Sequence, residues 1–470
     1  MDTSQSPIEL AKIESAYRPS NDYKQGHINK RHITETVSSA PQTESHTRTP
    51  SVHEEEGGIV ALNGAVVEAG EEEVVIKWRW FKMGVCFFAF LVFGMNDGAM
   101  GALIPFIQKH YEVGPTPVSF IFLTQFIGFV LAGLFSPLMH KRLHTTFRTV
   151  TPTLLLMHLA YALMCWGPPL PLLIAAYVLI GFSCGVQDAM YNAFIGQMKG
   201  SMSLLGMLHG CYGGGAAIGP IVATRVSLRL VWYDYFFVML GLTVLLNMLF
   251  VVAFWDERKA RTPTQDTQIA SMEHTAGLLQ TLRYPVVPIL ATYLLLYVGA
   301  EVSLGGWIVS YMLEQRHASA SSSSWVATGF WLGLTAGRFA LGYPTSIIGE
   351  KLAATAYIAF AIALHLLFWL IPSKISSAVF VSLVGFFLGP LFPVAISLAT
   401  KIIPRRSHIA AVGFCAAIGG AGGAAFPFIA GAIAGKKGVG SVVAVVLALL
   451  GAMEICWINV PARWGKWRTD

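Results

Sequence analysis

Four ionisable residues lie deep inside apolar stretches of this sequence: Asp97, Asp188, Glu301 and Arg338. Asp97 sits in FGMNDGAMGALIPF (residues 93–106) with Asn96 beside it. Placing a charged carboxylate in hydrocarbon is expensive, so a residue kept there is expected to work. The chemistry it suits is proton coupling. A carboxyl group away from water can load a proton on one side of a membrane, become neutral, and release the proton when wetted on the other. Asp97 and Glu301 are the candidates for that role. The amides Asn96, Gln125, Gln187 and Asn192 lie at similar depth, and Asn192 follows Asp188 by one turn, on the same helix face. With Asp188, His209 and Trp307 they make a candidate substrate-binding set. Carboxylates and amides hydrogen-bond hydroxyls, while aromatic faces such as Trp307, Trp331, Tyr191 and Tyr212 cover C–H patches, which fits a polyol.

Each of these groups also has a purely structural alternative. Arg338 and Glu301 can form a buried ion pair that locks two helices, and the aromatics can be core or interfacial packing. His158 and His365 have no acidic companion in their spans and read as packing residues, while Glu454 can snorkel to the membrane surface. Other chemistries lack their residues. No His/Cys cluster has metal-ligand spacing and no catalytic triad is visible. AGKK (434–437) lacks the Ser/Thr and glycine spacing of a phosphate-binding loop. We expect neither an enzyme nor a bound cofactor nor a metal, and no nucleotide-binding domain to drive transport with ATP.

The elements that must position these residues follow from composition. Of 470 residues, 54% are apolar and only 12% charged, about half the charge of a soluble domain. The net charge of +6 is spread between apolar runs instead of forming a patch, so nucleic acid is not an expected partner. The six cysteines form no CxxC pair and are expected to pack. Residues 1–76 are Ser-, Thr-, Glu- and His-rich and read as a disordered cytosolic tail.

From Trp78 onward, twelve apolar runs follow, each long enough to span hydrocarbon: 79–107, 117–140, 147–167, 170–197, 202–226, 233–255, 285–313, 323–348, 350–371, 376–402, 408–434 and 438–460. Asp97 falls near the middle of the first. One set of connecting loops carries eighteen Lys and Arg residues and the opposite set seven, which places both termini and the 256–283 linker in the cytosol. Lys436-Lys437 runs against this locally.

The linker divides the spans six and six, and motifs recur at that offset. GFSCG (181–185) matches GFFLG (385–389), and GGAAIGP (214–220) matches GGAAFP (422–427). Asp97 precedes Gly101 by four residues as Glu301 precedes Gly305. The expected fold is all-α and polytopic: two pseudo-symmetric six-helix halves, 77–255 and 284–470, with a site between them at mid-membrane. Recurrent GxxxG spacings fit close helix packing.

GMNDGAMGALIP, GFSCGVQDAMYNAFIG, LHGCYGGGAAIGP, YVGAEVSLGGWI, FWLGLTAGRFALG and GFFLGPLFP carry a resemblance to the major facilitator superfamily. Within it, the sequence is most similar to the fucose:proton symporter-like branch and its fungal relatives, over about residues 77–460. The resemblance implies that the acids in spans 1 and 4, here Asp97 and Asp188, serve proton coupling and sugar recognition. Span 4 has Asp where the bacterial symporter has Glu, which shortens its reach. The superfamily's loop 2–3 signature survives only as Gly133, Lys141 and Arg142, with Pro137 at the acid position and His140 at the second glycine. The loop 8–9 copy keeps Gly342, Gly349 and Lys351, with Ser346 at the acid position. Lys141, Arg142 and Arg338 are therefore candidates for gating or structural charge.

The expected function is secondary active transport of a small polar solute, sugar-like by resemblance and coupled to protons. The alternative is a proton-antiport exporter of a drug-like compound or fungal secondary metabolite. A transport-dead sensor is the rival of another class. The expected setting is a multi-pass membrane protein of the plasma membrane in preference to the vacuole, monomeric, with solute, protons and the bilayer as partners.

Overall fold

A computed structural model describes residues 61–62, 65–66, 78–198, 201–258, 278–404 and 407–460. The expected tail lies outside the described residues except for a short antiparallel pairing of β1 (Ala61–Leu62) with β2 (Ala65–Val66). Most of the expected linker, 259–277, also lies outside them.

From Arg79 onward the described chain is helical. The N-terminal half contains α1 (Arg79–Tyr111), α2 (Pro115–Leu143), α3 (Thr146–Met164), α4 (Leu170–Gly196), α5 (Ser201–Arg229) and α6 (Tyr235–Phe254). The C-terminal half contains α7 (Val286–Gln315), α8 (Ala320–Ala340), α9 (Glu350–Leu370), α10, α11 (His408–Lys437) and α12 (Ser441–Ile458). α10 runs in two segments, Lys374–Leu388 and Leu391–Ile402.

Local chemistry sets several boundaries. Thr145, Ser319 and Ser373 each accept a hydrogen bond from the backbone N–H three residues on, capping α3, α8 and α10. Pro115 opens α2, where a missing N–H costs nothing. Two expected runs are subdivided. The run 323–348 becomes α8 and a separate short helix, Gly342–Ile348. The run 376–402 breaks at Gly389-Pro390, because proline cannot donate to the preceding turn. Pro105 lies within α1, which continues to Tyr111.

Nine helical stretches of the described residues are long and apolar enough to cross a membrane. The other three are α3, α5 and α8, and their composition explains why. α3 begins with Arg148 among threonines, α5 is glycine-rich, and α8 carries Ser321–Ser324 and Arg338. Their place is fixed by packing against neighbours as much as by lipid.

The packing repeats at the six-helix offset. α1 packs on α5, α2 on α4, and α3 on α4 and α6; likewise α7 packs on α11, α8 on α10, and α9 on α10 and α12. Even a helix cap repeats. Arg148, near the start of α3, donates from Nε to the Arg258 carbonyl just after α6 at 3.1 Å. Lys351, near the start of α9, donates from Nζ to the carbonyls of Ile458 at 3.0 Å and Val460 at 2.6 Å, just after α12. Basic groups there complement carbonyls that have no intrahelical donor. The two halves meet along α2–α11, α5–α8 and α1–α7.

Candidate proton and substrate site

Asp97 lies in the middle third of α1, and the residues around it explain how its neighbours arrive there. A Cβ at Gly94 would stand 1.9 Å from the Tyr212 carbonyl, and one at Gly98 would stand 2.1 Å from that of Ala216. Without glycine at those positions α5 could not lie this close to α1. The close approach delivers Tyr212, whose hydroxyl donates to Asp97 Oδ2 at 2.7 Å. On the other side, Gln125 of α2 donates from Nε2 to Oδ1 at 2.7 Å. Asn96 donates to the same oxygen at 3.0 Å, and its own Oδ1 accepts from Tyr161 of α3 at 3.0 Å. Tyr235 of α6 donates to the carbonyl of Met95, the residue before Asn96, at 2.9 Å. Asp97 is thus held by three neutral donors, and no cation pairs with it among the described residues.

Glu301 has a different environment. Its Oε1 lies 3.7 Å from Arg338 Nη2, an ion pair joining α7 to α8. The Tyr297 hydroxyl lies within electrostatic reach of both. Tyr212, which holds Asp97, is also within electrostatic reach of both. The expected equivalence of Asp97 and Glu301 holds for position and not for surroundings.

Asp188 pairs with Asn192, which donates to its Oδ1 at 3.1 Å and to its carbonyl at 2.9 Å. Cys184, one turn before Asp188 on α4, is within electrostatic reach of both Asp188 and Asp97. Gln187 points elsewhere: it is fully buried, and neither amide atom has a hydrogen-bond partner among the described residues. His209 is exposed on α5, edge-on to Phe90 at 5.3 Å and within reach of Arg338. Trp307 is fully buried and donates to the Pro427 carbonyl at 3.0 Å, which ties α7 to α11. Trp331 packs over Gly305, where α1 and α7 cross, and its indole N–H has no partner among the described residues. Lys141 and Arg142 are exposed at the end of α2, away from these groups.

Tyr161 and Tyr235 are missing from the expected set. They lie 65 and 140 residues from the atoms they bind, and tyrosine in an apolar run carries no local mark of such a bond. A cavity of about 420 Å³ opens at the opposite end of α1, lined by Pro105, Gln108, Pro115, Ser310 and Glu314 among others. It contains none of the candidate residues.

This architecture of two six-helix halves has a matching sequence profile. That of the Major Facilitator Superfamily matches residues 86–313 and 289–469. The chain belongs to this superfamily. Members are transporters, not enzymes. Among superfamily relatives, "Bypass of stop codon protein 6" of Saccharomyces cerevisiae is 30% identical over 412 residues, covering 81% of this chain and 80% of that one. "Glucose/mannose transporter GlcP" of Bacillus subtilis is 22% identical over 325 residues, covering 67% and 79%. Among solved structures, the superfamily transporter FucP in its outward conformation aligns with a TM-score of 0.56 at 14% identity, over 82% of this chain and all of that one. At that identity the likeness concerns the fold.

Proposed function

We propose that this superfamily transporter is a proton-coupled symporter of a small polar solute of the hexose class. The observation that carries the reading is Asp97 at mid-membrane, held by Gln125, Asn96 and Tyr212 with no cation beside it. A carboxylate paired with arginine keeps its charge through a transport cycle. One held only by neutral donors can take a proton and keep the same partners, because the carboxylic acid still accepts and now also donates. Asp97 is therefore the coupling residue, and Glu301 serves as partner to Arg338. Asn96, Gln125, Asp188, Asn192 and His209 present hydrogen-bonding groups in the same region, with Trp331 as an aromatic face for the solute. The glucose/mannose specificity in the Bacillus relative's name supports a sugar.

The basic bias of one loop set supports cytosolic termini, and with that orientation a plasma-membrane protein would import solute with the inward proton gradient. Each chain has its own complete set of candidate groups, which supports a functional monomer. The deciding experiment uses purified protein in proteoliposomes with an imposed pH gradient and a panel of glucose, mannose, galactose and fucose. Hexose uptake running with protons is expected. Flux only against the proton gradient would assign the exporter direction instead, and ligand binding without flux would assign a sensor.

A further inference from the structure

If Asp97 carries a proton, the proton must reach one face of the membrane, and the seam between α1, α4 and α6 contains polar groups that the site does not use. Ser183, Gln187 and Tyr191 stand four residues apart along one face of α4. All three are fully buried. The Ser183 hydroxyl, both Gln187 amide atoms and the Tyr191 hydroxyl have no hydrogen-bond partner among the described residues, and neither does Oδ1 of Asn247 on α6. Leaving such groups buried and unpaired is costly, so a run of them on one face marks a place that must be satisfied some other way.

Charged groups lie towards both ends of the run. At one end Cys184, the chain neighbour of Ser183, lies within electrostatic reach of Asp97. At the other, Tyr191 lies within reach of Cys86 of α1, and its ring stands 6.2 Å from Phe250 of α6. Phe250 stacks on Phe254 at 4.7 Å, and the Lys82 ammonium sits over Phe254 at 4.9 Å. Lys82, itself 1% exposed, pairs with Asp256 at 3.0 Å and Glu257 at 2.9 Å. Those acids reach the solvent, and Cys86 feels both Lys82 and Glu257.

We propose that Ser183, Gln187 and Tyr191 line a hydrated proton path inside the N-terminal half, joining Asp97 to the Lys82–Asp256–Glu257 cluster. The path is separate from the substrate route between the halves. Waters hydrogen-bonded to these groups would form a chain along which the Asp97 carboxyl gives its proton to water and a Glu257 or Asp256 carboxylate accepts one at the surface. Gln187 orients water and does not itself titrate. The groups facing Asp97 are Gln125 from α2, Tyr161 from α3, Tyr177 and Cys184 from α4, Tyr212 from α5 and Tyr235 from α6. None is a cation.

The inference rests on Asp97 being the coupling residue, and the test separates the two. Infrared spectroscopy of the full-length protein in lipid follows the protonated carboxyl band that disappears in Asp97→Asn, and times its shift after transfer to deuterated buffer. Gln187→Leu is expected to slow that exchange about tenfold, the effect of raising one relay barrier by 1.4 kcal/mol. Tyr191→Phe, which removes only a hydroxyl and keeps the packing, is expected to slow it in the same direction. Wild-type exchange rates in both variants would overturn the path. So would slowing by Thr335→Val, at the seam between the halves, with no slowing by Gln187→Leu. If no protonated band belongs to Asp97 at any pH, the coupling reading fails, and the path fails with it.

Discussion

Asp97 and Glu301 occupy equivalent places in two repeats and have different partners, and in the proposed cycle that difference divides their labour. Asp97 has hydrogen-bond donors that tolerate either protonation state, whereas Glu301 has an arginine that favours one. Asp97→Asn is therefore expected to abolish proton-driven accumulation while counterflow exchange of solute continues, since the amide oxygen still accepts from Gln125 and Asn96 and its NH2 can donate to the Tyr212 hydroxyl oxygen. Retained accumulation in that variant would remove Asp97 from coupling. Arg338→Met is expected to destabilise the protein by about 2–3 kcal/mol, below the ~3–5 of a wholly buried pair because Arg338 keeps part of its surface open. Adding Glu301→Gln should restore most of that loss, because the penalty is an orphaned charge and not the absence of attraction. A double variant as unstable as the single one, measured by thermal melting in detergent, would mean that Arg338 acts through packing alone.

At the scale of the helix, the site depends on how closely α1 and α5 approach. Gly98→Val would drive a side chain into the Ala216 carbonyl, 2.1 Å from where its Cβ must go. Overpacking of this kind costs about 1–3 kcal/mol, and more where backbone must move. We expect a lower melting temperature together with weakened transport, because Tyr212 retreats from Asp97 as α5 is pushed away. Gly84→Ala is the control: a Cβ there meets nothing within 4 Å, so its melting temperature should not fall.

The helices themselves were legible in the sequence because hydrocarbon imposes length and apolarity on anything that crosses it. The subdivision of α10 and the separate helix after α8 were passed over by hydropathy, although Gly389-Pro390 in the first and Gly342 and Pro344 in the second mark the chain there. Of the Asp97 network, Asn96 and Gln125 could be picked out as amides at the right depth. Tyr161 could not, because its importance comes from contact between α1 and α3, which hydropathy does not encode. Trp307 shows the converse: a suitable residue type, used to fasten α7 to Pro427.

For the whole molecule, the repeat read from GFSCG/GFFLG and GGAAIGP/GGAAFP reappears as a repeat of helix packing and of the basic caps at Arg148 and Lys351. Between the repeats the joints are α2–α11, α5–α8 and α1–α7, and at the end near Pro115 they are tight. Gly101 lies against the backbone of Gly305, and Phe120 meets Phe428 at 4.8 Å. Thr116 and Gly435 are close enough that a Cβ on the glycine would be 3.4 Å from that of Thr116. This is about the Cβ separation of a disulfide. Alternating access requires that these helix ends part on each cycle. In a background with the six native cysteines replaced, Thr116→Cys with Gly435→Cys should form a disulfide readily and lose transport when oxidised. Reduction should restore it, and each single cysteine variant should transport under both conditions. An oxidised double variant that transports at the reduced rate would mean that the halves do not separate at this end, and that the solute reaches Asp97 by a route other than rocking about it.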